Sequence, residues 1–232
     1  MKNPTAEELA FLCARAGRTF DRFPILPRRG DGRMSPESRL RFELSMETIL
    51  ERSRTLGACV VLRRPSGGHE TFCYGRARLL GRAPVTEETC FRVASVSKLV
   101  MTFGTLALVE RGTLNLDEDL SVYLGYPVRH PRFPGAPVTL RMLLTHTAAI
   151  RDEGNYGTRG MQKGCTLREL LENAENWLDA RPGETFHYSN LGAGVAGVAM
   201  ERAANRPFDE LMQERVFAPL SIRASYDPRR IA

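Results

Sequence analysis

Apolar and polar positions alternate with two periods along this chain, and the change of period divides it. From Ser35-Pro36 to about Arg54 a helix with a moderate stripe (Leu40, Leu44, Thr48) is predicted, with proline at its first turn. Residues 58–62 and 69–74 then read as two short strands around a Pro65-Ser66-Gly67-Gly68 turn. His69 sits at the edge of that turn and reads as an exposed strand residue. From Ser95 to Gly112 the period becomes helical. Val96, Leu99, Val100, Met101, Phe103, Leu106 and Leu108 make this helix apolar nearly all round, which predicts a central, buried element.

Shorter helical signals follow. Asp117-Glu118-Asp119 reads as a solvated cap, Thr139 caps a leucine-rich turn, and Thr166 with Glu169 forms a capping box. Residues 129–137, with three prolines, are a predicted loop. After the Arg181-Pro182-Gly183-Glu184 turn, a Gly/Ala-rich helix spans 191–204, and Pro207 opens the last one. Small residues on the Gly/Ala helix predict close approach of a neighbour.

Residues 1–34 stand apart as an N-terminal extension: a short helix capped by Thr5 and Glu8, then an Arg/Pro-rich linker. Residues 35–232 form the predicted domain.

Composition narrows the function. The 232 residues are 42% hydrophobic and 26% charged, which is ordinary for a globular chain. Net charge is +6, carried almost wholly by scattered arginines, since the lysines are Lys2, Lys98 and Lys163. No Arg/aromatic interleaving points to nucleic acid. No run of 18 apolar residues predicts a membrane span, and the polar start Met1-Lys2-Asn3-Pro4 lacks a secretory core, so the expectation is a cytoplasmic chain, the alternative being a sequence without its leader. Cys13, Cys59, Cys73, Cys90 and Cys165 contain no Cys-x-x-Cys pair and read as reduced, mostly buried thiols.

Two segments carry candidate chemistry. In Ser95-Val96-Ser97-Lys98, serine and lysine share a helix face one turn apart. A neutral lysine there could take the serine proton, and desolvation by the apolar helix would favour the neutral form. Free N–H groups of the first turn favour developing negative charge, and the Ser95 N–H is a candidate oxyanion donor. The bland alternative is a plain N-cap serine with a snorkelling lysine. In Tyr188-Ser189-Asn190, a tyrosine near an ammonium can become a base or proton relay, and an asparagine amide offers donor and acceptor. The alternative is a turn in which Asn190 caps the next helix. His146 is expected to hydrogen-bond its own loop backbone. His187 should point away from Tyr188.

Together these segments resemble the class C β-lactamase-like serine hydrolases, a family related to penicillin-binding proteins. The resemblance rests on Phe91-Arg92-Val93-Ala94-Ser95-Val96-Ser97-Lys98, on Leu143-Leu144-Thr145-His146-Thr147, and on Pro182-Gly183-Glu184-Thr185-Phe186 before Tyr188-Ser189-Asn190. Val216-Phe217-Ala218-Pro219-Leu220 fits as well, so about residues 36–228 are covered. It implies an α+β fold, a helical subdomain plus an antiparallel sheet. It implies Ser95 as acylated nucleophile, Lys98 and Tyr188 as catalytic base and relay, and Asn190 as a substrate-binding residue that also orients Lys98. Substrates would be small molecules or peptides: β-lactams, D-amino-acid peptides or esters. No metal or organic cofactor is implied.

The chain departs from the family pattern in three places. Ala148-Ala149 stands where the family usually has Ser-Gly, and Ser221 where glycine usually follows Pro-Leu. Only 42 residues follow Asn190, and none reads as the strand carrying the family's third motif, which supplies a second oxyanion donor. The resemblance therefore implies an incomplete domain whose sheet lacks its C-terminal strands. Expectations follow: weak or no turnover, bare apolar helix faces, and an open sheet edge favouring self-association. A non-catalytic relative that binds a ligand or partner is the alternative.

Overall fold

The computed structural model describes residues 34–64, 67–160 and 162–231. The predicted N-terminal extension thus lies outside the described residues, apart from Met34. The chain divides into two units, one up to Phe91 and one from Arg92.

In the first unit, helix α1 (Pro36–Arg52) starts where Ser35 accepts a hydrogen bond from the Ser38 N–H. It stops two residues short of the expected Arg54. Its apolar stripe is shallow, with Leu40 and Ile49 exposed. Strands β1 (Gly57–Arg63) and β2 (His69–Gly75) pair antiparallel, Cys59 opposite Cys73 and Val60 opposite Phe72. Among the described residues the sheet has these two strands. Period-2 geometry puts Val60 and Phe72 on one face, where the Phe72 ring meets Phe42 of α1 edge-on at 6.0 Å. Cys59, Val61, Thr71 and Cys73 share the other face. His69 is exposed, as expected.

The cysteines correct the expectation of burial. Cys59, Cys73 and Cys165 are half-buried and Cys90 is exposed; Cys13 lies outside the described residues. Hydrogen bonds from Arg64 N to Gly68 O and from Arg76 N to Leu56 O fix the alternation of the ladder. Cys59 and Cys73 therefore face each other at a non-hydrogen-bonded pair, where side chains come closest. Their Sγ atoms are 3.8 Å apart.

The second unit is helical. Helix α2 (Val96–Glu110) is followed by Gly112 in the left-handed region, at φ 71°. Helices α3 (Leu120–Leu124), α4 (Leu140–Leu144), α5 (Tyr156–Arg159) and α6 (Leu167–Glu172) are short, and α6 carries the predicted capping box. Helix α7 (Asn190–Ala204) is the Gly/Ala-rich element, and α8 (Phe208–Met212) runs on into a π turn at Gln213–Phe217. Leu108, Leu120, Leu140, Val195, Met200 and Met212 are sealed from solvent. Ala196 and Ala199 are equally buried, which is the close approach the small residues of α7 predict. On α2 the matching device is Gly104, where a Cβ would lie 2.6 Å from Met212 Sδ.

Asp119 caps α3 by accepting from Ser121 N, and both Asp119 and Asp117 are ion-paired, with Arg129 and Arg141. Helix α2 corrects another expectation. It is not buried all round: Met101, Gly104, Thr105 and Leu108 face the core, but Val96, Leu99, Phe103 and Leu106 are exposed. The all-round apolar pattern shows what the helix can bury, not what it does bury among the described residues.

Candidate active site

The two candidate segments meet within the second unit, although 93 residues separate Ser95 from Tyr188. Ser95 is the residue before α2, and its hydroxyl makes no cap bond to the helix. Instead Ser95 Oγ lies 2.6 Å from Tyr188 Oη and accepts from Lys98 Nζ at 3.2 Å. Lys98 Nζ also donates to Asn190 Oδ1 at 2.7 Å, and sits 4.8 Å from the Tyr188 ring centroid. The plain N-cap alternative for Ser95 therefore fails. So does the capping role for Asn190: Ser189 caps α7, accepting from Gly192 N, while Asn190 is the first helical residue.

Local backbone geometry aims the serine. Ala94 holds φ 45°, in the left-handed region disfavoured for a residue with a Cβ. That turn delivers Ser95 to the helix start with its side chain free of the cap. No acceptor among the described residues takes the Ser95 N–H. Two residues on, Tyr226 Oη donates to Ser97 O at 2.6 Å, and burial pushes this phenol up to about 12, so it stays a donor.

Tyr188 is positioned by the Thr145-His146-Thr147 loop. His187 N donates to His146 O at 2.7 Å, and Gly183 N to Thr147 O at 2.8 Å. The His146 ring packs on Tyr188 with centroids 4.6 Å apart, and its Nδ1 accepts from Ser189 N. Burial, and then the Lys98 charge, lower the His146 pKa and favour the neutral ring that such an acceptor requires. His146 thus bonds backbone, but that of a segment 43 residues away rather than its own loop. The His187 ring pairs with Glu153 at 3.0 Å.

Tyr188 itself is lowered from the ordinary phenol value. The nearby Lys98 ammonium contributes most and the hydrogen bond with Ser95 next, while partial burial opposes them.

Sequence reasoning missed Asp152. Burial alone would raise its pKa, but bonds from Leu191 N, Asn190 N, the Ser189 hydroxyl and the Asn190 amide overcome this and hold it below the usual carboxylate range. A weak signal existed: α7 has no acidic residue in its own first turn, so its N-terminal donors call for a remote carboxylate.

Beside Lys98 and Asn190 opens an apolar groove of about 350 Å³, lined by Met101, Ala193, Gly194, Phe208 and Tyr226 among others. A larger groove of about 420 Å³ belongs to the hairpin, along Cys59, Val61, Arg63, His69, Thr71 and Glu87, and holds none of the four candidate residues. The smaller one is the more relevant, because it reaches the Lys98 and Asn190 side chains.

A helical region joined to an antiparallel hairpin, with the Ser-x-x-Lys and Tyr-Ser-Asn segments brought together, defines the β-lactamase/transpeptidase-like fold class. The sequence model of the Beta-lactamase family matches residues 45–226, and the chain belongs to that family. It is 32% identical over 216 residues to esterase EstB of Burkholderia gladioli, covering 83% of this chain and 53% of that one. It is 30% identical over 161 residues to the D-alanyl-D-alanine-carboxypeptidase/endopeptidase AmpH of Escherichia coli, covering 67% and 41%. Among solved structures, EstCE1, a hydrolase with promiscuous acyltransferase activity, superposes with TM-score 0.66 at 28% identity, covering 79% of this chain and 52% of that one. The D-amino acid amidase of Ochrobactrum anthropi gives 0.59 at 26%, covering 76% and 49%. The chain thus spans about half the length of these relatives. No helix among the described residues is long and apolar enough to cross a membrane.

Proposed function

We propose that the second unit carries the acylating machinery of a serine hydrolase acting on an ester or amide carbonyl. The observation that carries the reading is Ser95 Oγ held between Tyr188 Oη and Lys98 Nζ. Ser95 Oγ attacks the carbonyl carbon while its proton passes to Tyr188, the nearer oxygen. The Lys98 ammonium favours the phenolate that accepts it. Asn190 holds Lys98 and offers its amide to a substrate. The carbonyl oxygen gains negative charge at the Ser95 N–H. When the bond from carbon to the leaving nitrogen or oxygen breaks, the proton on Tyr188 goes to the leaving group. Water then hydrolyses the acyl-serine.

Substrates in keeping with the relatives' names are esters, D-amino-acid amides and D-alanyl peptides; β-lactams are the cyclic amides of the same class. Incubation with a fluorescent penicillin and with a fluorophosphonate, followed by peptide mapping, tests the reading. A Ser95 adduct absent from Ser95→Ala supports it; no adduct with either probe overturns it.

A second reading is a partner-binding relative. It draws on the exposed apolar row Val96, Leu99, Phe103 and Leu106, and on the sheet having two strands among the described residues. Concentration-dependent self-association without any Ser95 adduct would favour it.

A further inference from the structure

Asp152 makes more bonds than a helix cap needs. Its Oδ1 accepts from Ser189 Oγ at 2.8 Å and Leu191 N at 2.9 Å. Its Oδ2 accepts from Asn190 N and from Asn190 Nδ2, both at 2.7 Å. Four bonds fill the acceptor capacity of one carboxylate. Three of them would cap α7 and lock the Ser189 turn. The fourth does something different.

An ionised carboxylate only accepts. It therefore fixes which end of the Asn190 amide faces it: Nδ2 turns to Asp152, and Oδ1 is left facing Lys98 Nζ at 2.7 Å. The flipped amide would set oxygen against carboxylate and NH₂ against ammonium, repelling at both ends. The chain of contacts runs from Asp152 through Asn190 to Lys98, and Lys98 in turn donates to Ser95 and sits 4.8 Å from the Tyr188 ring centroid.

We infer that Asp152 is a positioning residue of the acylating site, which sets the orientation of the Asn190 amide and through it the place of the Lys98 ammonium. The inference deepens the proposed function and rests on that reading of Ser95, Lys98 and Tyr188.

Two simpler roles predict different behaviour. A pure cap would alter stability and leave the site's titration alone. A pure through-space charge would disfavour the Tyr188 phenolate, so removing Asp152 would move the Tyr188 titration downward. Positioning predicts the opposite: once Asn190 releases Lys98, the ammonium is no longer held beside the Tyr188 ring, and Tyr188 titrates higher.

The test is an NMR titration of the tyrosine ring carbons in the full chain, with the Tyr188 signal assigned by its loss in Tyr188→Phe. In Asp152→Asn and Asp152→Ala the Tyr188 midpoint should rise by about one pH unit, the low end of the effect of a close opposite charge. Asn190→Ala keeps Asp152, Ser189 and the capping bonds, so it guards against misfolding of the Asp152 variants, and it should raise the midpoint similarly. A midpoint unchanged or lowered in folded Asp152→Asn overturns the inference. So does an unchanged midpoint in Asn190→Ala. The readout needs no turnover. If wild-type Ser95 takes no probe while the midpoints rise as expected, the hydrolase reading falls and the positioning role stands.

Discussion

Up to Phe91 the described chain buries two hydrophobic side chains, Phe72 and Val85; the rest of the buried core belongs to residues from Met101 onward. The hairpin unit has regular pairing but few buried side chains among its described residues. The helical unit has short, irregular helices and a sealed interior. Backbone hydrogen bonding makes elements in both, but apolar burial on the scale that orders side chains is found in the second. Ser95, Lys98, Tyr188 and Asn190 all lie there. Preorganised chemistry goes with the core, and regular secondary structure alone does not supply it.

The sharpest way to break this comparison is to look for chemistry in the hairpin. Ser95→Ala should abolish covalent labelling, whereas Cys59→Ser, in the larger groove, should leave the Ser95 adduct intact; mass spectrometry reads both. Next in size is the proton acceptor. Tyr188→Phe should slow labelling by about 10²- to 10⁴-fold, the usual range for a general base. In the wild type the reactive form is the phenolate, so labelling should rise with pH. Because Tyr188 is lowered, the rise should level off below the pH at which an ordinary tyrosine ionises. A rate still climbing through that range would remove Tyr188 from the role.

Stability comes third. Leu140→Ala, at a sealed position, should cost about 2–5 kcal/mol in urea unfolding followed by signals of the helical unit. Val61→Ala, on the exposed hairpin face, should stay within about 0.5 kcal/mol. Equal losses would erase the contrast. The smallest effect sharpens it. The family departures Ala149 and Ser221 both lie in the left-handed region, at φ 59° and 53°, where a Cβ is disfavoured. Ser221→Gly should therefore stabilise by about 1 kcal/mol. Ala149→Gly should gain less, since it gives up a buried methyl. Thermal melts decide both.

Much of this was legible in the sequence. The strands, the Thr166–Glu169 capping box, the Gly/Ala helix and the meeting of the Ser95 and Tyr188 segments follow from local pattern or from the family motifs. Asp152 did not, because a carboxylate that caps a helix start 38 residues ahead leaves no periodic trace. The bare side of α2 is expected from the family resemblance and not from its own pattern, which predicts burial all round: hydrophobicity says what a face can bury, while burial depends on what is opposite. The left-handed turns at Ala149 and Ser221 were hidden for a related reason. Glycine would have advertised them, and this chain carries ordinary residues there.

The long reach of the site also bears on when it can exist. Lys98 and Asn190 lie 92 residues apart, so their contact must close a loop whose entropy cost grows only slowly with length but is met before any local reward. On a ribosome, which adds residues in order, Ser95 and Lys98 emerge long before Tyr188 and Asn190, and Ser95 lacks its full site until the chain has grown past Asn190 and folded back. A covalent probe of Ser95 would then double as a clock, reporting when a newly made molecule has completed its helical unit.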